Sequence, residues 1–122
     1  MPEILKSLLP LVVAAIAAID GDTVDVDGKR WRLQSFDAPE TFYARCTYER
    51  RLGERAKRRL QELIDTAHEV DTRTEGKRER WRRVLGDIYV DGVNVGGIFI
   101  REGLAVPYNG RGPRKDWCQV GS

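Results

Sequence analysis

The dipeptide Asp27-Gly28 constrains the fold of this chain more than any other feature of its sequence. It separates two segments in which apolar and polar residues alternate, with Val24 and Val26 before it and residues 29–36 after it. Both central positions of a type I′ turn need a positive φ, which Asp-Gly tolerates, so the pattern predicts a β-hairpin.

The returning arm of this hairpin places its side chains on two faces. Alternation puts Trp31, Leu33 and Ser35 on one face, and Arg30, Arg32, Gln34 and Phe36 on the other. Pro39 ends the arm because proline cannot donate to a strand ladder and restricts the residue before it. Asp37 and Glu40 are therefore predicted to lie in a tight loop at the end of the strand.

Helices and further strands follow from hydrophobic spacing. Residues 49–64 carry one apolar stripe and predict a helix. Residues 93–105 predict a shorter helix, with Asn94 as its N-cap and Gly103 at its C-terminal end. The segments predicted as strands are residues 11–19, 67–72 and 84–90, and the charged segment 73–83 is predicted to be a loop.

These elements fit a single domain, residues 1–122, with an irregular tail at residues 109–122. A chain of 122 residues builds one modest core. An early meander, a helix between the third and fourth strands, and short strands suit a five-stranded barrel of the OB type. The predicted fold class is therefore mainly β with two helices, an α+β arrangement.

The net charge of +2 says little about partners, but the basic residues are unevenly distributed. Residues 50–59 contain six Lys or Arg against one Glu, and residues 73–83 contain six against two. Such basic segments suit a polyanion partner. Solvated faces and loops explain the same charges equally well, so charge alone does not decide between them.

The two cysteines, Cys46 and Cys118, match no zinc-binding spacing. A disulfide between them would close a long loop and stabilise the fold by about 4 kcal/mol on the chain-entropy model. Two free thiols in a reducing compartment are the alternative, and the sequence leaves both open.

The N-terminal segment "MPEILKSLLPLVVAAIAAIDGDT" resembles a signal peptide in its single Lys, its apolar run and its small residues. Glu3 and Lys6 cancel, however, and Pro10 interrupts the run. Cleavage would also remove the apolar segment that is predicted to be the first strand, and the run is too short to span a membrane. We therefore expect a first strand here, no membrane association and a cytoplasmic location.

The two ends of the hairpin carry acidic residues. Asp22 lies near its start and Asp37 at the end of its returning arm, so an antiparallel return brings both carboxylates to one end of the barrel. A hard divalent cation needs oxygen ligands of this kind. The carbonyl of Ala38 or the hydroxyl of Thr41 could add another ligand.

Two further side chains complete a possible reaction centre. Glu40 would be close to the metal and placed to handle a water molecule. Arg32, upstream on the same strand, can grip a phosphate with two parallel hydrogen bonds. Metal, base and arginine together describe phosphodiester hydrolysis. Ordinary exposed charges on a hairpin are the alternative that these residues alone leave open.

The motifs "DGDT", "RL…DAPE", "VLGDIYVDG" and "REGLA" occur in this order, with an Arg before the third motif and a Tyr after the last. From about Ile19 to Tyr108 this combination resembles the staphylococcal nuclease (thermonuclease) family. The resemblance implies an OB-fold barrel and hydrolysis of DNA and RNA that depends on one calcium ion. It also implies that the 5′-oxygen leaves and that the product keeps a 3′-phosphate.

The resemblance assigns roles by position. It implies metal ligands at Asp22, Asp37 and the Ala38 carbonyl, a water-activating Glu40, and phosphate-binding Arg32 and Arg83. Tyr108 falls where a Tyr lines the nucleotide pocket. The sequence stops soon afterwards, so the third helix of the longer members is expected to be absent.

The segment "RERWRR", residues 78–83, departs from the family's Asp-x-Tyr-Gly-Arg pattern. Trp81 replaces a Tyr that touches substrate phosphate, which removes a phenolic donor and adds, beside Arg80, a stacking face for an unpaired base. Packing of Trp81 at a core edge is the alternative. Arg82 replaces a Gly where a positive φ is expected, so either Arg82 or Arg83 is expected to face the substrate.

Two functions stay open: an active nuclease, and a nucleic-acid-binding module with the same fold but degenerate chemistry. Binding-only relatives usually lose several charged site residues, and here Asp22, Arg32, Asp37, Glu40 and Arg83 are all present. The sequence therefore favours a calcium-dependent nuclease that acts on single-stranded or frayed DNA and RNA, expected as a monomer.

Overall fold

The computed structural model describes residues 15–119. Its strands are β1 (Ile16–Asp20), β2 (Thr23–Val26), β3 (Lys29–Leu33), β4 (Phe36–Asp37), β5 (Val70–Arg73), β6 (Val84–Val90), β7 (Val93–Asn94) and β8 (Val106–Pro107). Its helices are α1 (Thr47–Thr66) and α2 (Val95–Arg101). The predicted first strand is found from Ile16 onward, and its part at residues 11–14 lies outside the described residues.

Five strands form a curled mixed sheet in the order β1-β2-β3-β6-β5. Neighbouring strands are antiparallel, except that β3 and β6 run parallel. β7 pairs with β6, while β4 and β8 form a separate pair. With its two helices this is a half-barrel of the OB type, which confirms the predicted α+β fold.

The turn between β2 and β3 has the conformation that its sequence predicts. Asp27 and Gly28 have φ values of 50° and 84°, as a type I′ turn requires. Trp31 and Leu33 are buried on one face of β3, in agreement with the alternating pattern. A second Asp-Gly pair, residues 91–92, also takes positive φ values between β6 and β7.

The returning arm ends earlier than predicted. β3 stops at Leu33, and Ser35 has a φ of 79°, which turns the chain out of the β region and breaks the alternation. Phe36 is consequently buried in β4, where its ring meets that of Phe99 edge-on with 5.9 Å between centroids. The prediction of one strand through residue 36 is wrong for this reason.

Both helices form where the spacing predicts them, with shifted ends. α1 continues to Thr66, so the strand predicted from residue 67 begins only at Val70. α2 is shorter than predicted, and the side chain of Asn94 caps it by accepting a hydrogen bond from the amide of Gly96 at 2.8 Å. Gly103 follows its last turn with a φ of 75°, as its predicted position at the helix end requires.

One hydrophobic core lies between the curled sheet and the two helices. Its members include Val24, Leu33 and Ile88 from the sheet, and Ala56, Leu60 and Phe99 from the helices. Each fully buried Val, Leu, Ile or Phe contributes about 1.5–3 kcal/mol relative to an exposed one. Within residues 15–119, neither helix is long and apolar enough to cross a membrane.

Candidate active site

Asp22 and Asp37 come close together, as the sequence predicts, but Asp37 lies in β4 and not in a loop at the end of the hairpin arm, because the arm already ends at Leu33. Asp22, between β1 and β2, and Asp37, at the end of β4, are both buried. The carbonyl of Asp22 accepts a hydrogen bond from the amide of Leu33 at 2.8 Å, and its Oδ2 accepts one from the amide of Ala38 at 2.9 Å. Backbone hydrogen bonds therefore fix the position of this carboxylate.

Arg32 lies between the two carboxylates. Its Nη1 is 3.3 Å from Oδ2 of Asp22, and its Nη2 is 3.7 Å from Oδ1 of Asp37. Nη1 also donates to the carbonyl oxygen of Leu33 at 2.6 Å. Burial raises the pKa of Asp22, and the charge of Arg32 offsets part of that rise. The arginine therefore compensates the buried negative charge.

Glu40 is positioned by α1. The buried Glu49 accepts hydrogen bonds from the amide of Glu40 at 3.1 Å and from the amide of Arg45 at 2.9 Å. Gly53 allows a close approach, since a Cβ at this position would lie 2.2 Å from the carbonyl oxygen of Glu40. The site motifs predict neither Glu49 nor Gly53. A Gly inside a helix, which costs about 1 kcal/mol relative to Ala, is the one sequence signal of this contact.

Arg114 makes a contact that the sequence does not predict. Its Nε lies 2.7 Å from Oδ1 of Asp37, and its Nη2 lies 2.8 Å from Oε1 of Glu40 and also bonds Oδ1 of Asp37. Burial lowers the pKa of Arg114, but the bonds to the two carboxylates outweigh this effect and raise the pKa. The tail has no periodic pattern, so no sequence signal places this guanidinium.

Residues 108–118, called the C-terminal strap below, carry Arg114. The strap follows β8, which pairs with β4. At its other end a disulfide joins Cys118 to Cys46, with 6.1 Å between the Cα atoms. Trp117, which the sequence does not place, is buried next to this link. The structure thus resolves the choice between bonded and free cysteines in favour of the disulfide.

The loop between β5 and β6 is organised around Glu79. Its Oε1 accepts hydrogen bonds from the amides of Trp81 and Arg83, both at 2.9 Å. The guanidinium of Arg83 donates to the same carboxylate through Nε at 3.0 Å and Nη2 at 3.1 Å. Burial opposes ionisation of Glu79, but these bonds outweigh it and lower the pKa. Arg82 has a φ of 68°, so the expected positive φ occurs without a Gly.

A cleft of about 1420 Å³ collects most of the predicted site residues. Its lining includes Asp22, Arg32, Glu40, Trp81, Arg82 and Arg83, together with Arg114. Asp37 lines a smaller adjoining cavity of about 120 Å³, and Arg114 lines both.

Arg80 and Tyr108 are not among the described residues that line the cleft. The guanidinium of Arg80 lies over the Trp81 ring, 4.9 Å from its centre. The hydroxyl of Tyr108 donates to the carbonyl of Gly112 at 2.9 Å. The proposed contacts of these two side chains with substrate therefore stay predictions.

Exposed aromatic side chains from two separate loops line the cleft. Phe42 and Tyr43, directly after the Glu40 loop, are 82% and 77% exposed. Their rings meet edge-on with 5.0 Å between centroids. Trp81 lies in the basic loop between β5 and β6, residues 74–83. It is 68% exposed, so it does not pack at a core edge. Large apolar side chains left in solvent beside a cleft are typical of an interaction site. The sequence motifs do not indicate Phe42 or Tyr43.

The acidic residues fit a hard cation by their chemistry. Oδ2 of Asp37 is buried and has no hydrogen-bond partner among residues 15–119, and carboxylate oxygens are ligands that Ca²⁺ prefers. The hydroxyl of Thr41 donates to Asp20, so it is already engaged. Within residues 15–119, no group of three His, Cys, Asp or Glu side chains is arranged to hold an ion. The carboxylates suit a hard cation by their chemistry, although their present arrangement does not form such a group and Arg114 bonds the other oxygen of Asp37.

Comparison with known proteins gives a match across the site. A family model described as "Staphylococcal nuclease homologue" matches residues 30–119. This range includes Arg32, Asp37, Glu40 and Arg83, and Asp22 precedes it.

Three relatives are similar over most of this chain. It is 34% identical over 93 residues to Endonuclease YncB of Bacillus subtilis (strain 168), covering 72% of this chain and 44% of the relative. It is 33% identical over 95 residues to the SPbeta prophage-derived endonuclease YokF of the same organism, with 72% and 31% covered. It is 31% identical over 100 residues to Succinoglycan biosynthesis protein ExoI of Rhizobium meliloti (strain 1021), with 78% and 51% covered.

The chain thus spans about half the length of ExoI and less of the two endonucleases. The family match covers well over half of the chain, including the hairpin's returning arm, the basic loop and the strap. On this evidence the chain belongs to the staphylococcal nuclease homologue family.

Proposed function

We propose that this protein is an endonuclease that hydrolyses phosphodiester bonds in DNA and RNA and depends on calcium. The observation that carries the proposal is that Arg32 lies between Asp22 and Asp37, while Arg114 links Glu40 to Asp37. The three carboxylates line the cleft or the smaller cavity that adjoins it, and the lining of the cleft is rich in basic residues. Two of the relatives are named endonucleases.

One Ca²⁺ ion would be held by Asp22, Asp37 and the carbonyl of Ala38. When bound, the ion would act as a Lewis acid on a phosphate oxygen. The unpartnered Oδ2 of Asp37 supports this assignment, because a buried carboxylate oxygen without a partner is costly unless a ligand satisfies it.

The residues of the chain divide the chemistry between them. Glu40 orients a water molecule and accepts its proton while the water oxygen bonds to phosphorus. The bond from phosphorus to the 5′-oxygen breaks, that oxygen takes up a proton from solvent, and the product keeps a 3′-phosphate. Arg32 and Arg83 stabilise the charge that builds on the phosphoryl oxygens. Arg82 lines the same cleft and can contact a neighbouring phosphate.

Substrates with unpaired bases fit the cleft better than a duplex does. Phe42, Tyr43 and Trp81 offer exposed rings in its lining. Stacking on such rings tolerates any base but needs the base face to be accessible. Single-stranded or frayed DNA and RNA are therefore the proposed substrates.

A nucleic-acid-binding module without catalysis is the second candidate. It is favoured because two arginines of the site already form ion pairs with carboxylates. Arg114 bonds Asp37 and Glu40, and Arg83 bonds Glu79. If these pairs did not open for a metal ion and a phosphate, the cleft would bind a strand and leave it intact.

Cleavage and binding of one oligonucleotide distinguish the two candidates. A single-stranded DNA labelled at one end is incubated with the protein in Ca²⁺ or in EDTA, and its binding is followed by fluorescence anisotropy. We expect cleavage in Ca²⁺ alone and a 3′-phosphate on the product. An Asp22→Asn variant, purified identically, should bind and not cut, which excludes a contaminating nuclease. If the wild type binds the oligonucleotide but does not cleave it, the proposal of an endonuclease is overturned in favour of the binding module.

A further inference from the structure

Arg114 and the disulfide beside it have no part in the proposed reaction. Arg114 nevertheless occupies its centre, through Nε and Nη2 on Asp37 and through Nη2 on Glu40. We propose that Arg114 is the resident counter-cation of this carboxylate pair, that a divalent ion must displace it to bind, and that the Cys46–Cys118 disulfide keeps it in place. The choice of calcium as the ion rests on the proposed function.

The charges of the cluster support a competition. Asp22, Asp37 and Glu40 bring together three negative charges, and Arg32 and Arg114 bring two positive ones. Without Arg114, two negative charges remain, which is the charge that one divalent ion compensates. If the ion and Arg114 were both present, they would share Asp37 at contact distance and repel each other.

The position of Arg114 supports the same conclusion. The carboxylate of Asp37 is 1% exposed, whereas the side chain of Arg114 is 38% exposed. Arg114 lines both the large cleft and the smaller cavity that contains Asp37. An ion that enters from the cleft therefore meets the guanidinium before it reaches the carboxylate of Asp37. The guanidinium can swing into solvent, while Asp37 cannot move without disrupting β4.

The disulfide holds Arg114 from the nearer end of the strap. Cys118 follows Arg114 by four residues, and its partner Cys46 is the N-cap of α1. The same helix carries Glu49 and so positions the Glu40 loop. The link thus ties Arg114 to the element that places its partner Glu40. Opening it removes the covalent anchor of the strap and leaves non-covalent ones, among them β8 and the buried Trp117.

The expected size of the effect follows from the fraction of molecules in which Arg114 is displaced. The apparent dissociation constant rises in inverse proportion to that fraction, so a guanidinium seated in about nine molecules of ten weakens ion binding roughly tenfold. Reduction of the disulfide lowers the seated fraction and should tighten ion binding.

Calorimetric titration of the whole chain with Ca²⁺ alone, without nucleic acid, tests the proposal. Arg114→Gln should bind Ca²⁺ roughly tenfold or more tightly than the oxidised wild type. Arg111→Gln is the matched control, because it removes one exposed positive charge from the same strap, and it should change the affinity by less than about twofold. Equal or weaker binding by Arg114→Gln, or no binding at all, overturns the proposal.

The role of the disulfide is tested by a thermodynamic cycle. Reduction with a phosphine, or Cys118→Ala, should tighten Ca²⁺ binding in the wild-type background and change nothing further in the Arg114→Gln background. An equal gain in both backgrounds would show that the disulfide acts without Arg114. If Arg114→Gln fails to fold, the reduced wild type alone decides, since unchanged affinity on reduction contradicts the proposal.

This outcome is separable from the outcome for the enzyme. A chain that gains Ca²⁺ affinity on Arg114→Gln and cuts no substrate keeps the counter-cation role and loses the nuclease. If the wild type cuts in Ca²⁺ but Arg114→Gln has unchanged Ca²⁺ affinity, the nuclease is supported and the counter-cation role is overturned.

Discussion

The site has an acidic half, Asp22 and Asp37, and a cationic half, Arg83 and Arg114. The two halves are built in different ways. Asp22 and Asp37 are buried at the ends of strands, where backbone hydrogen bonds and strand pairing fix them. Arg83 and Arg114 lie on irregular segments, and carboxylate side chains hold each of them. The acidic half is thus part of the folded core, whereas a phosphate or a metal ion can replace the bonds of the cationic half.

This difference assigns separate tasks to the two halves. A hydrogen bond to a charged group is worth about 1.5–3 kcal/mol, so exchanging one carboxylate partner for a phosphate is nearly balanced. Moving a buried carboxylate would instead break the β-structure around it. The core therefore fixes where chemistry can occur, and the irregular segments determine whether the centre is open.

Removal of the disulfide should have the largest effect on stability. Cys118→Ala opens a loop whose ends are 72 residues apart. The chain-entropy model gives a loss of about 4 kcal/mol in the free energy of unfolding. Urea unfolding of the variant and of the oxidised wild type measures this difference. A change within about 0.5 kcal/mol, as for an ordinary surface substitution, would show that other contacts anchor the strap.

Gly53→Ala should disturb the connection between α1 and the Glu40 loop. The added Cβ would lie 2.2 Å from the carbonyl oxygen of Glu40, and such overpacking costs about 1–3 kcal/mol. Gly97→Ala in α2 is the matched control, since nothing lies within 4 Å of its new Cβ. Its better helix propensity should stabilise the protein by roughly 0.8–1 kcal/mol.

Thermal unfolding of these two variants should therefore give shifts of opposite sign. Gly53→Ala should also slow cleavage, because it displaces Glu40. If both variants shift the unfolding temperature in the same direction, the close approach at Gly53 is not what positions Glu40.

Phe42→Ala and Tyr43→Ala test the aromatic side of the cleft. Stacking on an aromatic ring is worth about 1–3 kcal/mol per base, so each variant should bind a single-stranded oligonucleotide roughly tenfold more weakly. Anisotropy measured in EDTA separates binding from cleavage. Tyr48→Ala is the control, because Tyr48 is 45% exposed on α1 and is not among the described lining residues. An equal loss of affinity for duplex DNA would contradict stacking of unpaired bases.

Glu79→Gln should give the smallest change and tests how freely the cationic half exchanges its partners. The amide oxygen can still accept from the backbone of Trp81, while the ionic bond to Arg83 is lost. Arg83 then becomes available to a phosphate, so the slope of log affinity against log salt should steepen by about 0.7 for a single strand. Weaker binding with an unchanged slope would show that Glu79 is needed to shape the loop.

Short-range signals predicted most of the fold and the acidic half of the site. The Asp27-Gly28 turn, the stripe of α1 and the cap at Asn94 each depend on residues close in sequence, and each is confirmed. The positive φ that the family's Gly implies at position 82 is found in Arg82. The closeness of Asp22 and Asp37 is predicted from the hairpin, whereas the turn at Ser35 that starts β4 is not.

The position of Arg114 could not be predicted because it depends on a contact between distant segments. Arg114 and Asp37 are separated by 77 residues, and no local pattern links them. Glu49 and Gly53 likewise acquire their roles only through the Glu40 loop. The monomeric state and the cytoplasmic location stay predictions, and a disulfide is more typical of an oxidising compartment.

The central claim, that Glu40 handles the attacking water at a fixed acidic centre, is tested most directly by the cleavage rate of Glu40→Gln. General-base catalysis contributes about 10²–10⁴-fold, so with Ca²⁺ and single-stranded DNA in excess the rate should fall by that factor while the unfolding temperature is unchanged. Glu54→Gln, the same chemical change elsewhere in the cleft, should cut at nearly the wild-type rate. Equal rates for Glu40→Gln and the wild type would contradict the account.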